Sequence, residues 1–427
     1  MTEAFELTAT EGLKAMEAGD LTAEAWLASC LERIDAHDEA VLAWHYLDRD
    51  AALAHARVLD KTKNNGIATG VPFGVKDIID TADMPTEYGS PIHKGHRPGR
   101  DAGCVAITRA AGAVLLGKTV STEFGHRFPG KTRNPFNPAH TPGGSSSGSA
   151  AAVGDKMIPV AYGTQTTGSI IRPAAFCGTV GYKPTYGDFN NNGVMPNSPS
   201  IDTLGVVVRS VEDLALIRSV LLEEPLVPLK PPEICDLTIG FYRSPFWDQA
   251  DEHTQSFLED SAKKLSELGA TVTDVELPGI NAEIMDLHGV MCGFEFARTV
   301  AWERLNRLDE LSADLREGRM NLGLKTTYDE YRAITMRFER LRLKIDDVLD
   351  GYDALITPVA PGEAPEGLRR TGSAIFNSTW TALGTPVVTL PLFEGPKGLP
   401  IGLQLIAGRA KDRRLFNVAD AIMAALG

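Results

Sequence analysis

The chain has 427 residues, 43% of them hydrophobic and 23% charged, with a formal net charge of −14. This is ample for a large core, and an acidic balance of this size excludes a general nucleic-acid or anionic-membrane surface. Five widely spaced cysteines with no CxxC pair exclude a disulfide framework or zinc knuckle, and no apolar run approaches the ~20 residues of a membrane span.

The opening residues, "MTEAFELTATEGLKAMEAGD", lack the basic start and apolar run of a secretory signal, so a cytoplasmic location is expected. Residues 2–60 read as helices: "TAEAWLASCLERIDAH" spaces its apolar positions by three and four, Thr22 can cap its start, and "RDAALAHARVLDK" continues the pattern. Short apolar runs bounded by glycine and proline follow. They are "VPFGVKDIID", "GAVLLGKTV", "MIPVAYGT", "LGVVVRS", "DLTIGFY", "ATVTDVEL", "YDALITPVA", "PVVTLPLF" and "IGLQLIAG". Helical patterns such as "VEDLALIRSVLL" and "HTQSFLEDSAKKLSELG" lie between them, and 281–350 is almost wholly helical. Strands alternating with helices predict an α/β fold: a single large domain spanning 1–427, with a central mixed sheet of about ten strands covered by helices on both faces. Within it, 1–65 forms N-terminal helices, 66–210 a catalytic core, and 281–350 a helical cover at the entrance.

Three short patterns mislead. "GAVLLGKT" matches the phosphate-loop spacing GxxxxGK[ST], but Ala-Val-Leu-Leu reads as the strand itself rather than a flexible loop. "GSSSG" matches a nucleophile elbow centred on Ser146. The preceding "NPFNPAHTP" cannot be a central strand, and no histidine follows His288. His93 and His96 in "HKGH" lack a third ligand nearby and read as a solvated loop.

The segment Thr141–Thr185 remains, rich in glycine and serine, without histidine and with Asp155 as its only acid. A flexible linker is one reading. Against it, "SGSAAAVG" is a good helix start, and "GTQTTGSIIRP" follows a predicted strand. A glycine-rich turn there can converge backbone N–H groups on one point, as an oxyanion hole requires. Two purely structural turns are the other reading.

Taken together, these segments resemble the amidase signature family, serine hydrolases that cleave linear carboxamides. "GVPFGVKD" is similar to its lysine motif, "PGGSSSGSAAAV" to its first serine motif and "GTQTTGSIIRPAAFCGTVGYKPT" to its second. "LITPVAP", "TALGTPVVTLP" and "LPIGLQLIAG" resemble its closing strands. The resemblance implies Ser169 as nucleophile, Ser145 as bridging serine 24 residues earlier, and Lys76 as the base that acts through it. It also implies an oxyanion hole of the backbone N–H groups of Thr166, Thr167, Gly168 and Ser169. The apolar context of Lys76 is one in which desolvation favours the neutral amine. Asp77 is expected to organise the lysine's hydrogen bonds or to sit in a turn.

Two departures stand out. Thr167 replaces a usual glycine, which would be costly if the backbone required positive φ. Arg172 follows the nucleophile by three residues, whereas most of the family has "GGSIR". This spacing is similar to the malonamidase-type branch and implies a pocket for a substrate carboxylate; alternatively Arg172 binds loop carbonyls or an acid such as Asp202. The resemblance implies a small amide substrate and no metal or organic cofactor, and it leaves a homodimer open. Alternatives within the family are the ammonia-producing component of a tRNA-dependent amidotransferase, which belongs to the "GGSIR" pattern, and a hydrolase of biuret-like ureas.

Overall fold

The computed structural model describes residues 3–62 and 66–427. Among these, eleven strands join in one sheet: β1 (Trp44–Leu47), β2 (Pro72–Lys76), β3 (Val114–Thr119), β4 (Val160–Gln165), β5 (Val180–Lys183), β6 (Thr203–Val208), β7 (Thr238–Phe241), β8 (Thr271–Asp274), β9 (Ala354–Pro358), β10 (Val387–Glu394) and β11 (Pro400–Ile406). Their order is β1-β3-β2-β4-β6-β5-β10-β11-β9-β7-β8. β2 runs parallel to both neighbours, β3 and β4. β4 to β9 along that order pair antiparallel, and β7 is parallel to β8 and β9. Every residue of β2, β3, β4 and β6 is buried, which accounts for their continuous rather than alternating apolar runs.

Helices cover both faces, as expected for a single α/β domain. Val211–Leu221, Glu252–Glu267 and Asp412–Leu426 pack on the face carrying Val75, Tyr162, Val206 and Leu403. Ser147–Gly154, Ile171–Phe176, Ile280–Thr299 and Tyr328–Leu349 pack on the face carrying Leu116, Ala161, Val207 and Ile406. Tyr328–Leu349 starts at a capping box between Thr327 and Glu330. It buries Ile334, Phe338, Leu341, Ile345 and Leu349, a stripe at spacings of three and four. Each such aliphatic or aromatic side chain contributes roughly 1.5–3 kcal/mol when buried. The alanine-rich helix Ser147–Gly154 sits so close to its neighbours that a Cβ on Gly148 would lie 2.3 Å from both Ala43 O and Val120 N.

The helical reading of 2–60 is corrected at one place. The helix Ala23–Val41, capped by Thr22 as expected, ends at Leu42 in a left-handed conformation (φ 55°), and Trp44–Leu47 then adds an edge strand to β3. Gly112–Thr119 leads into and forms β3, so its amides serve the sheet and cannot cradle phosphate. Ser146 Oγ is buried against the backbone of Thr164. His93 pairs with Glu303 at 2.8 Å, and no cluster of three metal-capable side chains occurs among the described residues. No helix among them is long and apolar enough to cross a membrane.

Candidate active site

The chemistry-bearing residues gather at the carboxyl ends of the parallel strands, where ligands bind in open α/β sheets. Lys76 is the last residue of β2, and the turn holding Ser169 leaves the end of β4. Lys76 is fully buried, with Nζ hydrogen-bonded to Ser145 Oγ at 2.6 Å and Thr164 Oγ1 at 2.8 Å. Burial pulls its pKa down to about 7, while the charge of Asp202 opposes the shift. Ser145 follows a cis peptide bond from Gly144 and is itself buried. The three residues of the implied relay are not linked throughout: Ser169 Oγ has no hydrogen-bond partner among the described residues, although the backbones meet where Ser146 N donates to Ser169 O at 3.3 Å.

Gln165 shapes the turn. Its Oε1 accepts from the N–H groups of Ile170 (2.9 Å) and Ile171 (3.0 Å), folding the chain back over Thr166–Ser169 and starting the helix Ile171–Phe176. Four successive carbonyls of this turn are then occupied. Thr166 O accepts from His288 Nε2 (3.0 Å) and Thr167 O from Thr381 Oγ1 (2.7 Å). Gly168 O accepts from Arg172 N (3.0 Å), and Ser169 O from Ser146 N. In a planar trans peptide the C=O and the following N–H point in opposite directions. Tying down the carbonyls therefore sends the N–H groups of Thr167, Gly168 and Ser169 the other way. These amides, with that of Thr166, donate to no acceptor among the described residues. This is the geometry an oxyanion hole needs.

Thr167 does not adopt positive φ, so the backbone carries threonine without strain. Glycine is required one residue later for space: a Cβ at Gly168 would lie 2.5 Å from Asn377 Oδ1, and Asn377 is held by Val359 O and Gln404 Oε1.

Arg172 is buried and makes no ion pair with Asp202 among the described residues. Its guanidinium donates to the carbonyls of Gly144 and Gly372 and to Thr371 Oγ1 (3.1 Å). Burial lowers its pKa to about 9. Asp77 does not organise Lys76. Its carboxylate accepts from Glu87 N and faces Lys118 at 3.6 Å and His45 at 3.7 Å. Asp202 instead accepts from Thr166 Oγ1 at 2.5 Å and from the N–H groups of Asn197 and Ser198. Thr164, Gln165, His288 and Thr381 escape a reading of the sequence, as does the bond of Asp202 to Thr166. Their one visible signal is polarity in apolar surroundings, as with Asp202 just before "TLGVVV". A cavity of about 290 Å³ lined by Ile78, Gly125, Thr164, Thr166, Asn197 and Asp202 opens beside this group.

Comparison with known proteins shows the family. The Amidase family model matches residues 25–416. A glutamyl-tRNA(Gln) amidotransferase subunit of Chloroflexus aurantiacus is 33% identical over 99% of this chain and 97% of its own length. Its counterpart in Salinibacter ruber is 30% identical over 97% of this chain and 99% of its own. Among solved structures, one described as an amidase shares 30% identity at a TM-score of 0.90, covering 99% of this chain and all of its own. The peptide amidase of Stenotrophomonas maltophilia shares 28% at 0.85, covering 99% of this chain and 97% of its own. With its buried lysine, paired serine and turn of free amides, the chain belongs to the amidase signature family and is a hydrolase of amide C–N bonds.

Proposed function

We propose that the protein hydrolyses a small linear carboxamide through an acyl-enzyme on Ser169. The observation that carries this reading is a buried lysine, with its pKa drawn to about 7, hydrogen-bonded to Ser145 beside a turn of unpaired amides. A lysine of ordinary pKa, ~10.4, holds its proton at neutral pH, whereas this one has a substantial neutral fraction and a lone pair to use. Lys76 takes the proton of Ser145 as Ser145 takes that of Ser169. Ser169 Oγ bonds to the carbonyl carbon, and the oxyanion is received by the amides of Thr166–Ser169. The C–N bond then breaks, and the proton held on Lys76 returns through Ser145 to the leaving nitrogen. Water repeats the attack with the same relay and releases the acid. Ser169 Oγ closes onto Ser145 when substrate is bound, as catalytic hydrogen bonds often tighten only in the complex.

Two donor nitrogens of Arg172 already serve loop carbonyls, and this supports a structural rather than a carboxylate-binding role. Five free cysteines, four of them buried, agree with a reducing cytoplasmic setting.

A second reading rests on the 33% identity to an amidotransferase subunit: the chain would release ammonia for a partner protein. Ammonia or amine release from malonamate, biuret, acetamide, an aryl amide and glutamine separates the two. Turnover of a small amide by the isolated chain, lost in Ser169→Ala, is expected. Glutamine turnover that appears only with an added partner would favour the second reading. Unchanged turnover in Ser169→Ala would defeat both.

A further inference from the structure

We propose that His288 and Asp202 are positioning residues for the hydrolysis, acting on Thr166, the first residue of the amide-bearing turn, from its two sides. The inference rests on the reading of Ser169 as nucleophile. His288 lies on the helix Ile280–Thr299, which is remote in sequence from the turn. Its Nε2 meets the Thr166 carbonyl at 3.0 Å. A carbonyl only accepts, so Nε2 carries the proton, and the Cys292 thiol lies beside the ring, 3.6 Å from Nε2 and 3.8 Å from Nδ1. Because Thr166 C=O and Thr167 N–H share one planar unit, His288 sets the direction of the Thr167 amide. Burial lowers the His288 pKa to about 4, so the ring stays a neutral donor across the working range of a base near 7.

Asp202 holds the other side. Oδ1 accepts from Thr166 Oγ1 at 2.5 Å, and Oδ2 accepts from Asn197 N (2.6 Å) and Ser198 N (2.7 Å). Three donors suit an ionised carboxylate. The helix that supplies His288 also supplies Glu295, which accepts from Ser198 Oγ at 2.6 Å and Tyr331 OH at 2.7 Å. The helical cover, the loop at Asn197–Asp202 and the turn thus form one connected frame.

Asp202 also acts on Lys76: it lines the same cavity as Thr164, whose Oγ1 holds Lys76 Nζ, and Thr166, whose Oγ1 it accepts from. It is the charged group that favours the ammonium form there, because Asp77 is matched by Lys118 and His45 on the neighbouring side. Burial raises the Asp202 pKa, the three donors oppose that shift and the charge of Glu295 adds to it, while Arg319, His288 and Cys292 feel the field of Asp202. Removing the carboxylate therefore lowers the Lys76 pKa, and the active amine is reached at lower pH.

The test uses the full chain and an amide that the wild type hydrolyses. His288→Phe is expected to lower kcat by roughly tenfold to a hundredfold with little change in KM, the scale of a small misplacement of reacting groups. His288→Gln, which keeps an N–H donor, should recover most of that loss, and neither variant should move the acid limb of the pH–rate profile. Asp202→Asn should both lower kcat and shift that limb to lower pH. Thr166→Val should lower kcat without the shift. Wild-type kcat in both His288→Phe and Thr166→Val, or an unmoved limb in a folded Asp202→Asn, would overturn the inference. Should Asp202→Asn not fold, the His288 and Thr166 variants decide it. Wild type and Ser169→Ala run alongside: equal activity in those two defeats the nucleophile reading and this inference with it, whereas loss in Ser169→Ala alone leaves the reading standing whatever the other variants show.

Discussion

Gln165 Nε2 donates to Thr381 Oγ1 at 3.0 Å, and that hydroxyl donates in turn to Thr167 O at 2.7 Å. The final side chain of β4 is thereby tied to the short helix Ser378–Leu383, and the turn between Gln165 and Ser169 is fixed at both edges. The other end of the Gln165 amide receives two backbone N–H groups, so one buried side chain closes the loop that presents the nucleophile.

Replacing Gln165 with alanine strands those two buried donors, at about 1–3 kcal/mol each, and frees the turn. Gln165→Ala is expected to lose a few kcal/mol in denaturant unfolding and to lose kcat by more than the stability change alone explains. Gln165→Glu keeps the acceptor and should retain more of both. Equal kcat in wild type and a folded Gln165→Ala would show that the turn holds its shape without this clamp.

Much of this arrangement is legible in the sequence. Nine strands announce themselves as apolar runs between glycine and proline, and Lys76, Ser145 and Ser169 stand within motifs. What escapes is either short or distant. β1 and β5 have four residues each, one following a long helix and the other inside a glycine-rich stretch. Gln165 reaches Thr381 across 216 positions and His288 reaches Thr166 across 122, so nothing local marks these partners. Arg172 is visible, but its choice of Gly144 and Gly372 depends on how remote loops meet.

Lys76 makes a signed prediction about pH. Its folded pKa of about 7 lies below the ~10.4 of an unfolded lysine, chiefly through burial. Activity should rise with pH through the neutral region as the amine loses its proton. Between these two values the unfolded chain binds a proton that the folded chain has released, so the stability contributed by this site rises with pH across that window. Lys76→Met should be inactive, at least as stable as wild type near pH 7, and flatter in its stability–pH profile from 7 to 10. Lys76→Ala should cost more activity than Ser145→Ala. Near-normal turnover of Lys76→Ala at neutral pH would refute the role.

Arg172→Met tests whether the guanidinium frames the loop or receives substrate. Its removal leaves the Gly144 and Gly372 carbonyls without their donor. The expected outcome is a lower Tm and equal losses of kcat/KM on neutral and carboxylate-bearing amides. A large loss confined to the carboxylate-bearing substrate, with Tm unchanged, would assign Arg172 to ligand binding.

The most direct test of the central claim is mass spectrometry of the protein quenched during turnover of a slowly deacylated amide. The account predicts one acyl group on the peptide containing Ser169, absent from Ser169→Ala, which should keep its fold and lose hydrolysis. An acyl group on another serine, or steady hydrolysis by Ser169→Ala, would contradict it.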